Sequence, residues 1–174
     1  SVQDNSSHFS GVLMTVNPLS RRLSNAALVF LCAAGTVTPA SAATFTVTNT
    51  NDTGAGSLRQ AILDATATNE VNTIEFNIPG SGVKTITPVT DLPNLPPTIT
   101  VNGFSQPGAS PNSLPTGSNA VLLIEIRGPG SNGDGLHFGF GGTTLRGLVI
   151  NGWNGTATSA GVHAVSSHYT NLIE

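Results

Sequence analysis

The chain is poor in the residues that cross-link a fold or give it an ionic surface. Its 174 residues include one cysteine, Cys32, and charged residues make up 9% of the chain, where about 25% is typical of soluble proteins. A single thiol excludes an internal disulfide, and residues 43–174 contain no cysteine that could serve as a thiolate zinc ligand. The formal net charge of −3 disfavours nucleic acid as a partner, because phosphate contacts require clustered Lys and Arg.

The first 42 residues have the three parts of a secretory signal. Arg21 and Arg22 precede an apolar run, residues 26–37, and small residues follow it up to Ala42. We therefore predict upstream residues plus a signal over 1–42, a domain over 43–174, and a secreted or cell-surface location. Spanning a bilayer takes about 20 apolar residues, so we expect no membrane span after signal cleavage.

The stretch TFTVTNTNDTGAGSLRQAILDA, Thr44–Ala65, runs from a predicted strand through glycines into a predicted helix. Such a turn can bind phosphate, but Arg59 replaces the third glycine of a dinucleotide motif. The alternative is a helix with Ser57 as N-cap and Gln60 completing a capping box. Its apolar stripe would be Leu58, Ala61, Ile62 and Ala65. We predict this structural role and no cofactor.

Abundant turn residues separate short β-prone segments through the rest of the chain, which has 20 Gly and 11 Pro. Alternating apolar residues, as in the segment 72–78, are typical of strands. The predicted strands lie in 44–49, 72–78, 84–89, 97–104, 120–128, 135–140, 143–153 and 160–166. The proline-rich segments 92–97 and 105–119 are predicted loops, since proline cannot donate to a strand ladder.

Similar segments recur along the chain. The pairs are ITVNGF (99–104) with LVINGW (148–153), GLH (135–137) with GVH (161–163), and TTLRG (143–147) with TNLIE (170–174). A period near 25 residues favours stacked β-solenoid coils over an antiparallel sandwich. Asn102 and Asn151 precede glycine and are candidates for left-handed turn conformations.

These segments together resemble the N-terminal part of bacterial secreted and cell-surface right-handed parallel β-helix proteins that carry a CSLREA-type motif. The resemblance covers nearly all of 44–174, and its most specific parts are 56–61 and 103–109. Gly56 stands in the cysteine position of the motif and Gln60 in the glutamate position. The resemblance implies an all-β, right-handed parallel β-helix (solenoid) with one short N-terminal capping α-helix, and no shared enzymatic activity.

Candidate catalytic acids are scattered. Glycoside hydrolysis needs two carboxylates about 5–9 Å apart, and Asp134 is the best single candidate. Glu125 and Arg127 alternate on one strand, where an exposed ion pair is the simpler interpretation. Ser57 has no histidine or acid near it in sequence. We therefore predict no catalytic residue.

Two histidines would stack if the 26-residue repeat is structural. His137 and His163 would then lie about 4.8 Å apart on adjacent strands. A shared zinc ion would need a third ligand such as His168, whereas a polar ladder on the solvent face needs none, so we predict no metal site. A calcium turn in GPGSNGDG, 128–135, has one copy and therefore weak support.

Three function classes remain open. We expect a non-catalytic structural or adhesive module whose partner is cell-surface or extracellular polysaccharide. The alternatives are the N-terminal part of a polysaccharide lyase or hydrolase whose site lies beyond residue 174, and the stalk of a larger secreted protein. The alignment of TNLIE with TTLRG places Glu174 partway through a coil, so an open strand edge and end-to-end self-association are also expected.

Overall fold

The computed structural model describes residues 42–68, 70–130, 133–139, 141–153, 160–164 and the backbone of 172–173. The predicted signal, apart from Ala42, and His168 lie outside these ranges. The elements are β1 (Ala43–Val47), α1 (Leu58–Thr68), β2 (Asn72–Phe76), β3 (Lys84–Ile86), β4 (Ile99–Asn102), β5 (Ile124–Arg127), β6 (Leu136–Phe138), β7 (Thr144–Arg146), β8 (Leu148–Asn151), β9 (Val162–Ala164) and β10 (Leu172–Ile173). Each predicted β-prone segment contains a strand.

The named strands pair in parallel and form three sheets. The first sheet has the order β1-β2-β4-β7-β10, the second β3-β5-β8 and the third β6-β9. The prediction of a mostly β chain with one helix is therefore confirmed for the described residues. The parallel pairing is incompatible with the antiparallel sandwich.

The core consists of aliphatic side chains stacked from strand to strand. In the first sheet Ile74, Val101 and Leu145 are in register and buried. In the second sheet Ile86 and Ile126 are in register and buried. In β2, β4 and β5 every second residue is buried, which explains why the period-2 pattern is visible in the sequence.

Helix α1 lies against β1 and β2. Its predicted apolar stripe is confirmed, since Leu58, Ala61, Ile62 and Ala65 are the buried residues of the helix. At its C-terminal end the buried Asn72 Nδ2 donates to Ala65 O at 2.8 Å. The helix therefore packs onto the β1 end of the first sheet.

The N-terminus of α1 is capped, but the capping box is only half formed. Ser57 Oγ accepts the Gln60 N–H at 3.2 Å, as predicted. The Gln60 side chain instead donates to Asp64 Oδ1 at 2.8 Å. The reason is that the Ser57 N–H already donates to Gly54 O at 3.1 Å, so it has no need of a second acceptor.

The segment after β4 contains a single 3-10 turn, Gly103–Ser105, that binds the end of β2. Ser105 Oγ accepts the Phe76 N–H at 2.7 Å. Gln106 Oε1 accepts the Ile78 N–H and its Nε2 donates to Ile78 O, both at 2.9 Å. Two side chains therefore replace a strand backbone where the ladder between β2 and β4 ends.

The predicted strand 143–153 is two strands in two different sheets. Gly147 has a φ of +67° between β7 and β8, a left-handed conformation that turns the chain out of the first sheet. Asn102 consequently pairs with Arg146, and Asn151 with Arg127. The alignment of ITVNGF with LVINGW is therefore wrong, because the two segments belong to different sheets.

The predicted left-handed asparagines are also wrong. Asn102 has an extended backbone with a φ of −110°, and Thr98 is the one non-glycine residue with positive φ in the described ranges. Gly152, next to Asn151, has a φ of +75°. Glycine adopts this conformation without a Cβ clash, so it takes the turn in place of its neighbour.

Of the two other predicted repeats, one has the predicted strand register and the other does not. GLH and GVH align as predicted, with His137 opposite His163. The TNLIE segment does pair with TTLRG, but Leu172 lies opposite Thr144, one residue from the predicted register.

The proline-rich segments form loops as predicted, without strands in the described residues. Leu92 and Leu95 are nevertheless buried and belong to the core. Across the described ranges no helix is long and apolar enough to traverse a bilayer.

Candidate functional site

A groove of about 610 Å³ lies beside the turn that joins β7 to β8. It is lined by Phe104, Pro111, Asn112, Ala120, Leu122, Arg146 and Leu148. One wall comes from the strands and the 3-10 turn, and the other from the loop between β4 and β5. We call it the Phe104 groove.

The strand wall is held by close backbone packing and a cation–π contact. The Arg146 guanidinium carbon lies 5.7 Å from the centroid of the Phe104 ring. A Cβ on Gly147 would lie 2.7 Å from the backbone nitrogen of Phe104, so this approach requires glycine. Ring and guanidinium are thus fixed next to each other on the groove surface.

The loop wall is ordered by its own hydrogen bonds. The backbones of Ser110 and Val121 exchange two hydrogen bonds, at 3.1 and 2.8 Å. Asn112 Nδ2 donates to Leu114 O at 3.1 Å, and Asn112 Oδ1 accepts the Asn119 N–H at 3.0 Å. Since the polar atoms of Asn112 hold the loop, they organise the groove rather than face a ligand.

Sequence analysis did not predict this groove. Its residues come from three segments that become neighbours only when β4 and β7 pair. The local signals were the turn-forming asparagines at 112 and 119 and the aromatic residue after Asn102-Gly103.

A second polar cluster lies on the outer face of the second sheet. Thr85 Oγ1 donates to Glu125 Oε2 at 2.6 Å, and Asn151 Nδ2 donates to Glu125 Oε1 at 2.8 Å. The hydrogen bond from Thr85, followed by that from Asn151, lowers the pKa of Glu125. The predicted ion pair with Arg127 is therefore not the principal contact of this carboxylate. Arg127 instead lines a smaller groove of about 410 Å³.

A third cluster, which we call the histidine ladder, lies on the third sheet. The rings of His137 and His163 have their centroids 4.9 Å apart and are inclined by 47°, in agreement with the predicted stacking. His137 Nδ1 lies 2.6 Å from Asn94 Oδ1. His163 Nδ1 lies 2.7 Å from Asp134 Oδ2, and the Ala160 N–H donates to Asp134 Oδ1 at 3.0 Å.

Asp134 is held as a carboxylate. The hydrogen bond from His163 lowers the pKa of Asp134, while partial burial opposes this effect and the Ala160 N–H adds to it. A group with a lowered pKa is a poor general acid at neutral pH. Asp134 could orient His163 as a base, but neither a nucleophile nor a second carboxylate contacts this pair within the described ranges.

Of the other sequence candidates, Ser57 does not form a site and the calcium turn is only partly described. Ser57 is fully buried and bound as the helix cap, which excludes it as an exposed nucleophile. In the calcium-turn candidate 128–135, residues 131 and 132 lie outside the described residues. No group of three or more metal-ligating His, Cys, Asp or Glu side chains occurs in the described part of the chain.

We compared the chain with protein families, curated proteins and solved structures. No protein-family model, curated protein or solved structure matches the chain. The function has therefore to be argued from the sites themselves.

Proposed function

We propose that this chain is a non-catalytic, secreted or cell-surface module that binds extracellular polysaccharide in the Phe104 groove. We further propose that it folds as a right-handed parallel β-helix of the CSLREA type, with α1 as its cap. The observation that carries the binding proposal is the Phe104 groove, which combines apolar surface with a positioned guanidinium.

The order of the strands supports the β-helix. Along the chain β4, β5 and β6 lie in the first, second and third sheets, and β7, β8 and β9 repeat that order. Each strand of the second set pairs in parallel with its counterpart in the first. Two successive coils of a solenoid would produce this arrangement.

The chemistry of the groove suits a sugar chain. Pyranose rings present apolar C–H faces together with hydroxyl groups along their edges. Phe104, Leu122 and Leu148 supply apolar surface, and Arg146 supplies N–H donors in a planar fork. Because guanidinium binds carboxylate in a bidentate manner, a uronic acid residue is the sugar that this groove fits best.

The groove is also formed before any ligand binds. The backbone exchange between Ser110 and Val121 and the side-chain bonds of Asn112 already order the loop wall. A ligand therefore does not need to order the loop, which removes one entropic cost of binding.

Affinity electrophoresis of the full chain through gels that contain polygalacturonate, alginate or dextran tests the proposal. We expect retardation by a uronate polymer and at least tenfold weaker binding by Arg146→Gln. Arg127→Gln is the matched control, since this exposed arginine lies outside the Phe104 groove. Circular dichroism establishes that both variants fold.

Retardation by none of the three polymers contradicts polysaccharide binding, and equal loss in both arginine variants contradicts the assignment to the Phe104 groove. The same polymers are incubated with the chain and assayed for reducing ends and unsaturated products. Reproducible turnover would show that the module is an enzyme.

A further inference from the structure

The histidine ladder lies outside the Phe104 groove and has ring nitrogens available to a ligand. In both imidazoles Nδ1 is hydrogen-bonded to a neighbouring oxygen. The partner of His137 is Asn94 Oδ1, and the partner of His163 is Asp134 Oδ2. Within the described residues neither Nε2 atom has a hydrogen-bond partner. We propose that His137 and His163 form a two-histidine site for a divalent transition-metal ion, which they coordinate through their Nε2 atoms.

The hydrogen bonds fix the tautomer that metal binding needs. Asn94 Oδ1 and the Asp134 carboxylate accept hydrogen bonds, so each histidine carries its proton on Nδ1. The lone pair of a neutral imidazole is then on Nε2. Histidines that ligate metals commonly donate their other N–H to a carboxylate or carbonyl oxygen, which is the arrangement found at both rings.

The spacing of the rings fits one shared ion. β6 and β9 hold the two residues in register, and their ring centroids lie 4.9 Å apart. Two imidazole nitrogens bound side by side to one ion at about 2.0–2.1 Å are about 2.9–3.4 Å apart, so the two rings have to tilt towards each other for their Nε2 atoms to converge on the ion. The His163 side chain is 40% exposed, which gives the ion access from solvent.

The ligand set also indicates which ions bind. Two imidazoles without thiolate favour copper, nickel or zinc over magnesium or calcium. Because the described residues supply no group of three or more ligating side chains around an ion, water would complete the coordination. We expect Cu²⁺ to bind more tightly than Ni²⁺, as the general order of divalent ions predicts.

Titration of the full chain with CuCl2 or NiCl2 by calorimetry tests this site. His8 and His168 are replaced by Gln in a background variant, so that His137 and His163 are the remaining histidines of the four in the sequence. We expect one ion per chain, and at least tenfold weaker binding after either His137→Gln or His163→Gln.

The supporting contact is tested with Asp134→Asn, for which we expect binding about tenfold weaker with both ligands retained. Electron paramagnetic resonance of the Cu²⁺ complex is expected to show two coordinated imidazole nitrogens. This spectrum decides the question even if a histidine variant fails to fold. A spectrum with one imidazole nitrogen, or equal affinity before and after removal of both histidines, overturns the proposal.

Discussion

Replacing Gln106 with Met tests how the turn after β4 stabilises β2. The Gln106 side chain is 2% exposed and pairs with both backbone groups of Ile78, the N–H and the carbonyl, at 2.9 Å each. Met has a similar length and fills similar volume but cannot form either hydrogen bond. The substitution therefore removes the bonds without opening a large cavity.

The expected loss follows from the two backbone groups left unpaired. A buried polar group without a partner costs about 1–3 kcal/mol, so the pair costs about 2–6 kcal/mol. The more apolar methionine side chain offsets about 1–2 kcal/mol of this. We expect Gln106→Met to lower the free energy of unfolding by about 1–4 kcal/mol, a large part of the stability of an ordinary domain.

Urea unfolding followed by far-ultraviolet circular dichroism measures this difference, and the fluorescence of Trp153 provides a second probe. Gln60→Met is the matched control, because the Gln60 side chain bonds Asp64 on the exposed surface. We expect the control to change stability by less than about 0.5 kcal/mol. If Gln106→Met is as stable as the control, the side-chain bridge to Ile78 contributes nothing and our account of this turn is refuted.

Two further predictions concern α1 and the histidine ladder. Ile62→Asp places an unpaired charge at a fully buried position and should cost several kcal/mol, whereas Leu63→Asp, at a side chain 47% exposed, should leave the melting temperature nearly unchanged. Equal melting of the two variants would show that the predicted stripe does not pack. Asp134, whose pKa is lowered chiefly by the hydrogen bond from His163, should stabilise the fold above its unfolded pKa of about 3.9 and lose this effect as the pH falls further. Wild type should therefore be more stable than Asp134→Asn at pH 6 and converge with it near pH 2; a difference that does not depend on pH would contradict this linkage.

The sequence predicted those features that depend on local periodicity. The stripe of α1 repeats every three to four residues, and GLH and GVH place a histidine in the same position of adjacent strands. The stripe follows from helix geometry, and the histidine match follows from two similar segments that pair as adjacent strands. Each was visible without knowledge of the rest of the fold.

Features that depend on which of several possible hydrogen-bond or strand partners a residue takes were not predictable from local patterns. The capping box failed in part because Gly54 O had already taken the Ser57 N–H. The segment 143–153 alternates like one strand, yet the left-handed Gly147 divides it between two sheets. The Phe104 groove required knowing that the first and second sheets meet at this turn.

The Glu125 cluster and the histidine ladder differ in how much of their hydrogen-bonding capacity is already used. Each Glu125 oxygen accepts a hydrogen bond from a neighbouring strand, so this cluster joins β3, β5 and β8 and leaves its carboxylate little affinity for a ligand. The histidine ladder uses Nδ1 of each ring and leaves Nε2, which is the atom that a metal ion requires. The chain has 9% charged residues. We therefore expect a ligand to bind at side chains that use one polar atom for a contact within the fold and leave another polar atom exposed to solvent. By this criterion the proposed metal site lies on the third sheet, whereas the Glu125 cluster of the second sheet stabilises the fold.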